Sequence, residues 1–223
     1  MTYLRTVFLV LKKDLIAERR SREVLSSMLL FALIAIILLI FSFELAVNIR
    51  QAAFAGTLWV ALCFAGTLGL NRTMSLEREN QNLDALLLAP VDRTALFFGK
   101  ALANWLFTLL LTLILIPAAG FFYGINPFKW GLIAVVLLGT LGYSLSGTLI
   151  SVITSKLMNR ELYLPLLLFP VEIPLLLAVI RATNIVVNSG IITEAGTWIL
   201  MLLGFDLLFL AMGILLFDQV AAD

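Results

Sequence analysis

One acid, Glu172, stands between Pro170 and Pro174 in a stretch that is otherwise leucine, valine, isoleucine and phenylalanine. An ionisable side chain in such surroundings is costly unless it faces a protein interior or water. It is therefore a candidate for a polar pathway, or for a hydrogen bond that bridges two helices. Each proline frees a backbone carbonyl and invites a kink, which places more polar atoms near the carboxyl. Asp206 is the only acid in a second apolar stretch, Gly196 to Phe217, and admits the same two readings, with a helix contact the plainer one. Other chemistry is bounded by what the 223 residues lack: there is no histidine, and Cys63 is the single cysteine. Ser-His-Asp catalysis, His-based zinc sites, a histidine ligand to haem iron and any disulfide or CxxC centre are thereby excluded for this chain alone.

A second candidate lies in the longest polar interruption, Asn71 to Arg93. Leu83, Leu86 and Leu87 recur there at helical spacing, Asn82 is suited to cap the helix, Asp84 occupies its first turn and Pro90 ends it. Glu77, Arg78, Glu79, Asp84, Asp92 and Arg93 surround this apolar knob with mixed charge, the composition of a small docking surface with a polar rim. The chain has no G-x-x-x-x-G-K-[ST] motif, and Gly99-Lys100-Ala101 lacks both the upstream glycine and the hydroxyl residue. ATP hydrolysis by a P-loop is thus outside its reach, and any such energy must come from a partner.

The elements that must hold these groups are membrane helices. The chain is 62% hydrophobic and 13% charged, with a mean hydropathy of +1.08, too little polar surface to clothe a soluble globule. Crossing about 30 Å of hydrocarbon takes roughly 20 apolar residues in a helix. Six segments qualify: Ser26 to Val47, Ala53 to Leu70, Ala95 to Phe122, Trp130 to Ile153, Leu162 to Ile180 and Gly196 to Phe217. They are apolar on every face rather than alternating, so the expected fold class is an all-α integral membrane protein, not a barrel. Residues 1–25 are expected to be a cytoplasmic amphipathic entry helix, 26–217 the six-helix domain with a cytoplasmic coupling loop at 71–93, and 218–223 a cytoplasmic tail. A basic start followed by an apolar run and Ala53-Phe54-Ala55 imitates a secretory signal, but cleavage there would remove a whole span, which is too long for one.

Charge orients the bundle. Arg5, Lys12, Lys13, Arg19, Arg20 and Arg22 precede the first span, Arg72, Arg78, Arg93 and Lys100 follow the second, and Lys156 and Arg160 follow the fourth. Only Arg50, Lys129 and Arg181 fall in the alternate loops, so both termini are expected in the cytoplasm. Leu4, Val7, Phe8, Leu11 and Leu15 make an apolar stripe on a basic helix, which predicts a segment lying in the interface with that stripe toward the lipid. Small residues four apart, at Gly142 and Ser146, at Gly147, Ser151 and Ser155, and at Ala61, Ala65 and Gly69, permit close helix approach within a bundle or a dimer.

These features resemble the membrane subunit of an ABC-2-type exporter, and within that group the CcmB family of cytochrome c maturation, over nearly the whole chain. The resemblance rests on the basic first helix, Leu76-Glu77-Arg78 through Leu86-Leu87-Leu88-Ala89-Pro90, Gly99-Lys100-Ala101 leading into Asn104-Trp105, and the double-proline fifth span. It implies a non-enzymatic permease subunit of the bacterial cytoplasmic membrane, one half of a homodimer, that works with a CcmA-like ATPase, CcmC-like and CcmD-like membrane proteins and a CcmE-like haem chaperone. It further implies that Glu77, Arg78, Leu83, Asp84, Leu86 and Leu87 face the ATPase, that ATP is bound by the partner, that haem belongs to the complex and that this chain alone binds no cofactor and no nucleic acid. Two rivals share much of the pattern: an ABC-2 permease for a drug, lipid or polysaccharide, and an ATP-independent secondary transporter carrying protons on Glu172 and Asp206, whose expected inverted repeats are not visible.

Overall fold

The computed structural model describes residues 3–42, 47–79, 92–155, 157 and 159–220. Among these the regular structure is helical: α1 (Tyr3–Ser21), α2 (Glu23–Ser42), α3 (Val47–Glu79), α4 (Arg93–Tyr123), α5 (Trp130–Ser155), α6 (Arg160–Ser189) and α7 (Gly196–Val220), with a 3-10 turn at Ile192–Ala195. Six helices, α2 to α7, are long and apolar enough to cross a membrane. The chain is a multi-pass membrane protein.

Burial decides the layering. In the spans of α3 and α5, 72% of the residues are buried, against 22% in α2 and α7, so α3 and α5 form the interior and α2 and α7 the periphery. α5 touches α3, α4, α6 and α7, and small residues make that possible. Gly139 lies under Trp59 and Val179, Gly147 under Leu70, and Gly66 of α3 receives the ring of Tyr143. Three members of the small-residue rows, Gly69, Gly142 and Gly147, meet side chains of this same chain. Where lipid leaves little hydrophobic drive between helices, such close approach and interhelical hydrogen bonds hold the bundle. Such bonds include Trp59 Nε1 to Thr183 Oγ1 at 2.8 Å, Tyr123 OH to Thr57 Oγ1 at 2.6 Å, Trp105 Nε1 to Thr140 Oγ1 at 3.0 Å and Asn104 Nδ2 to Thr148 Oγ1 at 2.9 Å.

Several boundaries differ from those expected. The break between α1 and α2 falls at Arg22, whose φ of 56° turns the chain, so the first span starts at Glu23 rather than Ser26. α3 continues past Leu70 to Glu79, so the first nine residues of the expected coupling loop are helical. No breaker interrupts them, and the Thr73 and Ser75 hydroxyls bond back to Gly69 O and Asn71 O within the helix. α6 runs unbroken through Pro165, Pro170 and Pro174 and extends beyond Ile180 to Ser189. Arg181 therefore sits on a helix, exposed, rather than in a loop; its long stem can carry the charge toward the headgroups.

α1 has three faces. Leu4 and Phe8 remain 78% and 62% exposed, as a lipid-facing stripe requires, while Thr6, Val10, Asp14 and Glu18 turn toward the bundle. Glu18 closes the elbow: its carboxylate accepts from the backbone N–H groups of Val24 at 3.3 Å and Leu25 at 2.8 Å, the free donors at the start of α2. Arg72, near the end of α3, pairs with Glu23 beside it.

Candidate functional site

Two acids from different helices converge on one turn of α5. Glu172 of α6 is fully buried, and Ser146 Oγ donates to its Oε1. One turn away, the missing side chain of Gly142 makes room for Asp206 of α7. A Cβ there would stand 2.5 Å from Asp206 Oδ1 and 2.8 Å from Leu175 Cδ1. Ser146 Oγ also lies 2.8 Å from Gly142 O, so the same turn addresses both acids and its own backbone. Glu172 Oε2 and both carboxylate oxygens of Asp206 have no hydrogen-bond partner within the described residues. A buried polar atom left unsatisfied costs about 1–3 kcal/mol, so this seam is not what stability alone would select. Its chemistry is that of an intramembrane polar contact joining α5, α6 and α7. Pro170 and Pro174, expected to accompany Glu172 along a pathway, are exposed on the outer face of α6. Helical geometry separates them from Glu172: positions two residues apart point to different sides.

A second polar centre, not anticipated from the sequence, lies where α1, α3, α4 and α5 meet. Asp14, Thr73, Lys100, Asn104 and Ser151 line one narrow cleft with Leu70 and Met74. Lys100, Asn104 and Asp14 are buried, and Asp14 pairs with Lys13 at 3.1 Å. Gly99 is the seat of α1: a Cβ there would lie 2.7 Å from Val10 Cβ and 3.1 Å from Val7 O. The segment Gly99-Lys100-Ala101 into Asn104-Trp105 thus works as a docking surface, with Gly99 receiving α1 and Asn104 and Trp105 bonding to hydroxyls of α5. The signal was available as polar residues spaced four apart, Lys100 and Asn104, inside an apolar helix.

The expected coupling residues are only partly placed. Glu77 and Arg78 belong to the last turn of α3, whereas Leu83, Asp84, Leu86 and Leu87 lie outside the described residues. The chain returns from that segment at Asp92, which caps α4 by accepting from Thr94 N at 2.9 Å and Thr94 Oγ1 at 2.7 Å. Thr94 Oγ1 lies 3.4 Å from Tyr3 OH, so the start of α1 touches the point of return.

The sequence model of the CcmB protein matches residues 5–221. The chain belongs to the CcmB family. It is similar to heme exporter protein B of Rhodobacter capsulatus, with 33% identity over 150 residues, 67% of this chain and 69% of that protein. Against heme exporter protein B of Paracoccus denitrificans the identity is 34% over 124 residues, 55% of this chain and 56% of the relative. Against that of Pseudomonas aeruginosa it is 30% over 165 residues, 71% of each. The CcmB match runs from α1 through α7 and so takes in the docked first helix, the Gly99 seat and both carboxyl-bearing spans.

Proposed function

We propose that this CcmB-family chain is the permease subunit of a haem exporter that serves cytochrome c maturation, energised by a separate CcmA-like ATPase. The observation that carries the reading is the family match along residues 5–221, with relatives named heme exporter protein B. The absence of a P-loop in the sequence agrees with a separate energy source. In this reading the chain lies in the bacterial cytoplasmic membrane with both termini in the cytoplasm, pairs with a second copy, and associates with CcmC-like and CcmD-like proteins and a CcmE-like chaperone. The chain is a transport subunit rather than an enzyme, ATP binds to the partner, and haem is handled by the assembled complex.

The mechanical route follows from the packing. The ATPase engages the segment around residues 77–90, which joins α3 to α4 in the sequence. A displacement there moves both helices. It also moves α1, which is seated on Gly99 and linked to α2 through Glu18. α3 and α4 both pack on α5, whose Gly142–Ser146 turn holds the two acids, so the displacement reaches α6 and α7 through that seam.

Leu86→Asp tests the reading. An apolar anchor in a desolvated pocket accounts for about 2 kcal/mol or more of binding. Pull-down of the tagged variant from native membranes should recover at least tenfold less ATPase while the variant itself remains in the membrane. Undiminished ATPase recovery and undiminished cytochrome c maturation would remove this segment from the interface.

A further inference from the structure

We propose that the groove between the halves of α4 and α5 remote from the chain termini seats one anionic phospholipid, with an acyl chain between the helices and the headgroup phosphate on Lys129. The groove encloses about 530 Å³ and is bordered by Leu109 and Pro117 of α4 and by Ile133 and Leu137 of α5, with Lys129 and Trp130 at its mouth. Lys129 is the one charged residue among those that line it.

Three observations point to this occupant. The first is length: Leu109 to Pro117 is eight helical rises, about 12 Å at ~1.5 Å per residue, close to the ~15 Å of a single leaflet's hydrocarbon. An acyl chain that enters from the mouth is the right length to fill it, whereas a partner helix would need a span-long face. The second is the mouth. Trp130 is 90% exposed where an interfacial aromatic belongs, and the cation beside it matches an anionic headgroup.

The third is that the mouth is built. Ile125 N donates to Gly120 O at 2.9 Å, Phe128 N donates to Asn126 Oδ1 at 3.1 Å, and Lys129 N donates to Pro127 O at 2.8 Å. Gly124 adopts a φ of 66°, which turns the chain out of α4, and Gly120 lets Pro127 close against that helix. Lys129 is therefore presented from a fixed turn, and its side chain needs to order only itself.

The test uses the full chain in lipid nanodiscs containing equal amounts of phosphatidylglycerol and phosphatidylcholine with identical acyl chains. Native mass spectrometry after transfer to mild detergent then reports which lipid stays bound. Phosphatidylglycerol should be retained over phosphatidylcholine by about fivefold, the share that one lysine contributes near an anionic headgroup. Lys129→Gln should abolish the preference and Lys129→Arg should keep it. Lys129 is exposed, so neither change disturbs the packing. Ile133→Trp, which fills the groove, should reduce retention of both lipids at unchanged helicity. Equal retention of the two lipids by the unaltered chain, a preference that survives Lys129→Gln, or another polypeptide held in the groove would each overturn the proposal.

Discussion

Replacing Gly139 by alanine should force α5 away from two neighbours at once. The new Cβ would stand 2.7 Å from Trp59 Cη2, 3.1 Å from Trp59 Cζ3 and 2.5 Å from Val179 Cγ1, closer than carbon atoms pack. Val179 is fully buried. Trp59 is 2% exposed and tied by its Nε1 to Thr183, so its ring cannot swing aside without breaking that bond. Overpacking costs about 1–3 kcal/mol, and the endangered hydrogen bond adds about 0.6 kcal/mol in a membrane. Alanine recovers about 0.4–1 kcal/mol through the unfolded chain's lost freedom. The net expectation is a loss of about 1–3 kcal/mol, roughly a five- to 150-fold shift in the folding equilibrium. Gly204 of α7 supplies the control, because a Cβ there meets nothing within 4 Å, and Gly204→Ala should be neutral or stabilising. The measurement is reversible unfolding in mixed micelles as the denaturing detergent fraction rises, followed by circular dichroism. In a Trp59→Phe background the ring edge is gone while the Val179 contact remains, so the cost of Gly139→Ala should fall but not vanish. A Gly139→Ala protein as stable as Gly204→Ala would refute the reasoning about how α5 is held.

Glu172→Gln keeps shape and an acceptor for Ser146 but deletes the ionisable group; it should insert and assemble normally yet lose ATP-dependent cytochrome c maturation, while Glu172→Leu should also impair assembly because the Ser146 bond is gone. Full maturation with both variants would reduce Glu172 to a tolerated side chain. Single cysteines at Arg78 and Asn188 should react with a membrane-impermeant thiol reagent from opposite faces, position 78 only from the cytoplasm, because they lie at opposite ends of the bundle on α3 and α6. Labelling of position 78 from outside would overturn the orientation. Cys63 is buried and should not interfere.

The number of spans, the all-helical class and the segregation of charge are properties of composition and spacing, since a bilayer admits few ways to satisfy a backbone. They were legible from runs such as Leu29 to Ile40 and from the placement of Lys and Arg. Of the apolar stripe expected on α1, Leu4 and Phe8 are exposed, whereas Val7, Leu11 and Leu15 are half-buried, so periodicity marked the helix but not which of its apolar side chains the bundle takes up. Glu172 and Asp206 stood out because an acid in an apolar run is conspicuous, yet only the packing brought both to the Gly142–Ser146 turn. That meeting depends on how α6 and α7 rotate and slide against α5, which no local pattern in either helix encodes. The inward face of α1, with Asp14 and Glu18 buried, ran against its apolar stripe, because it is set by the free N–H groups of α2 and the gap above Gly99 rather than by hydrophobicity. Membrane solvent is read residue by residue, whereas polar contacts between helices exist only between partners far apart in the chain, and so the tertiary structure alone decided them.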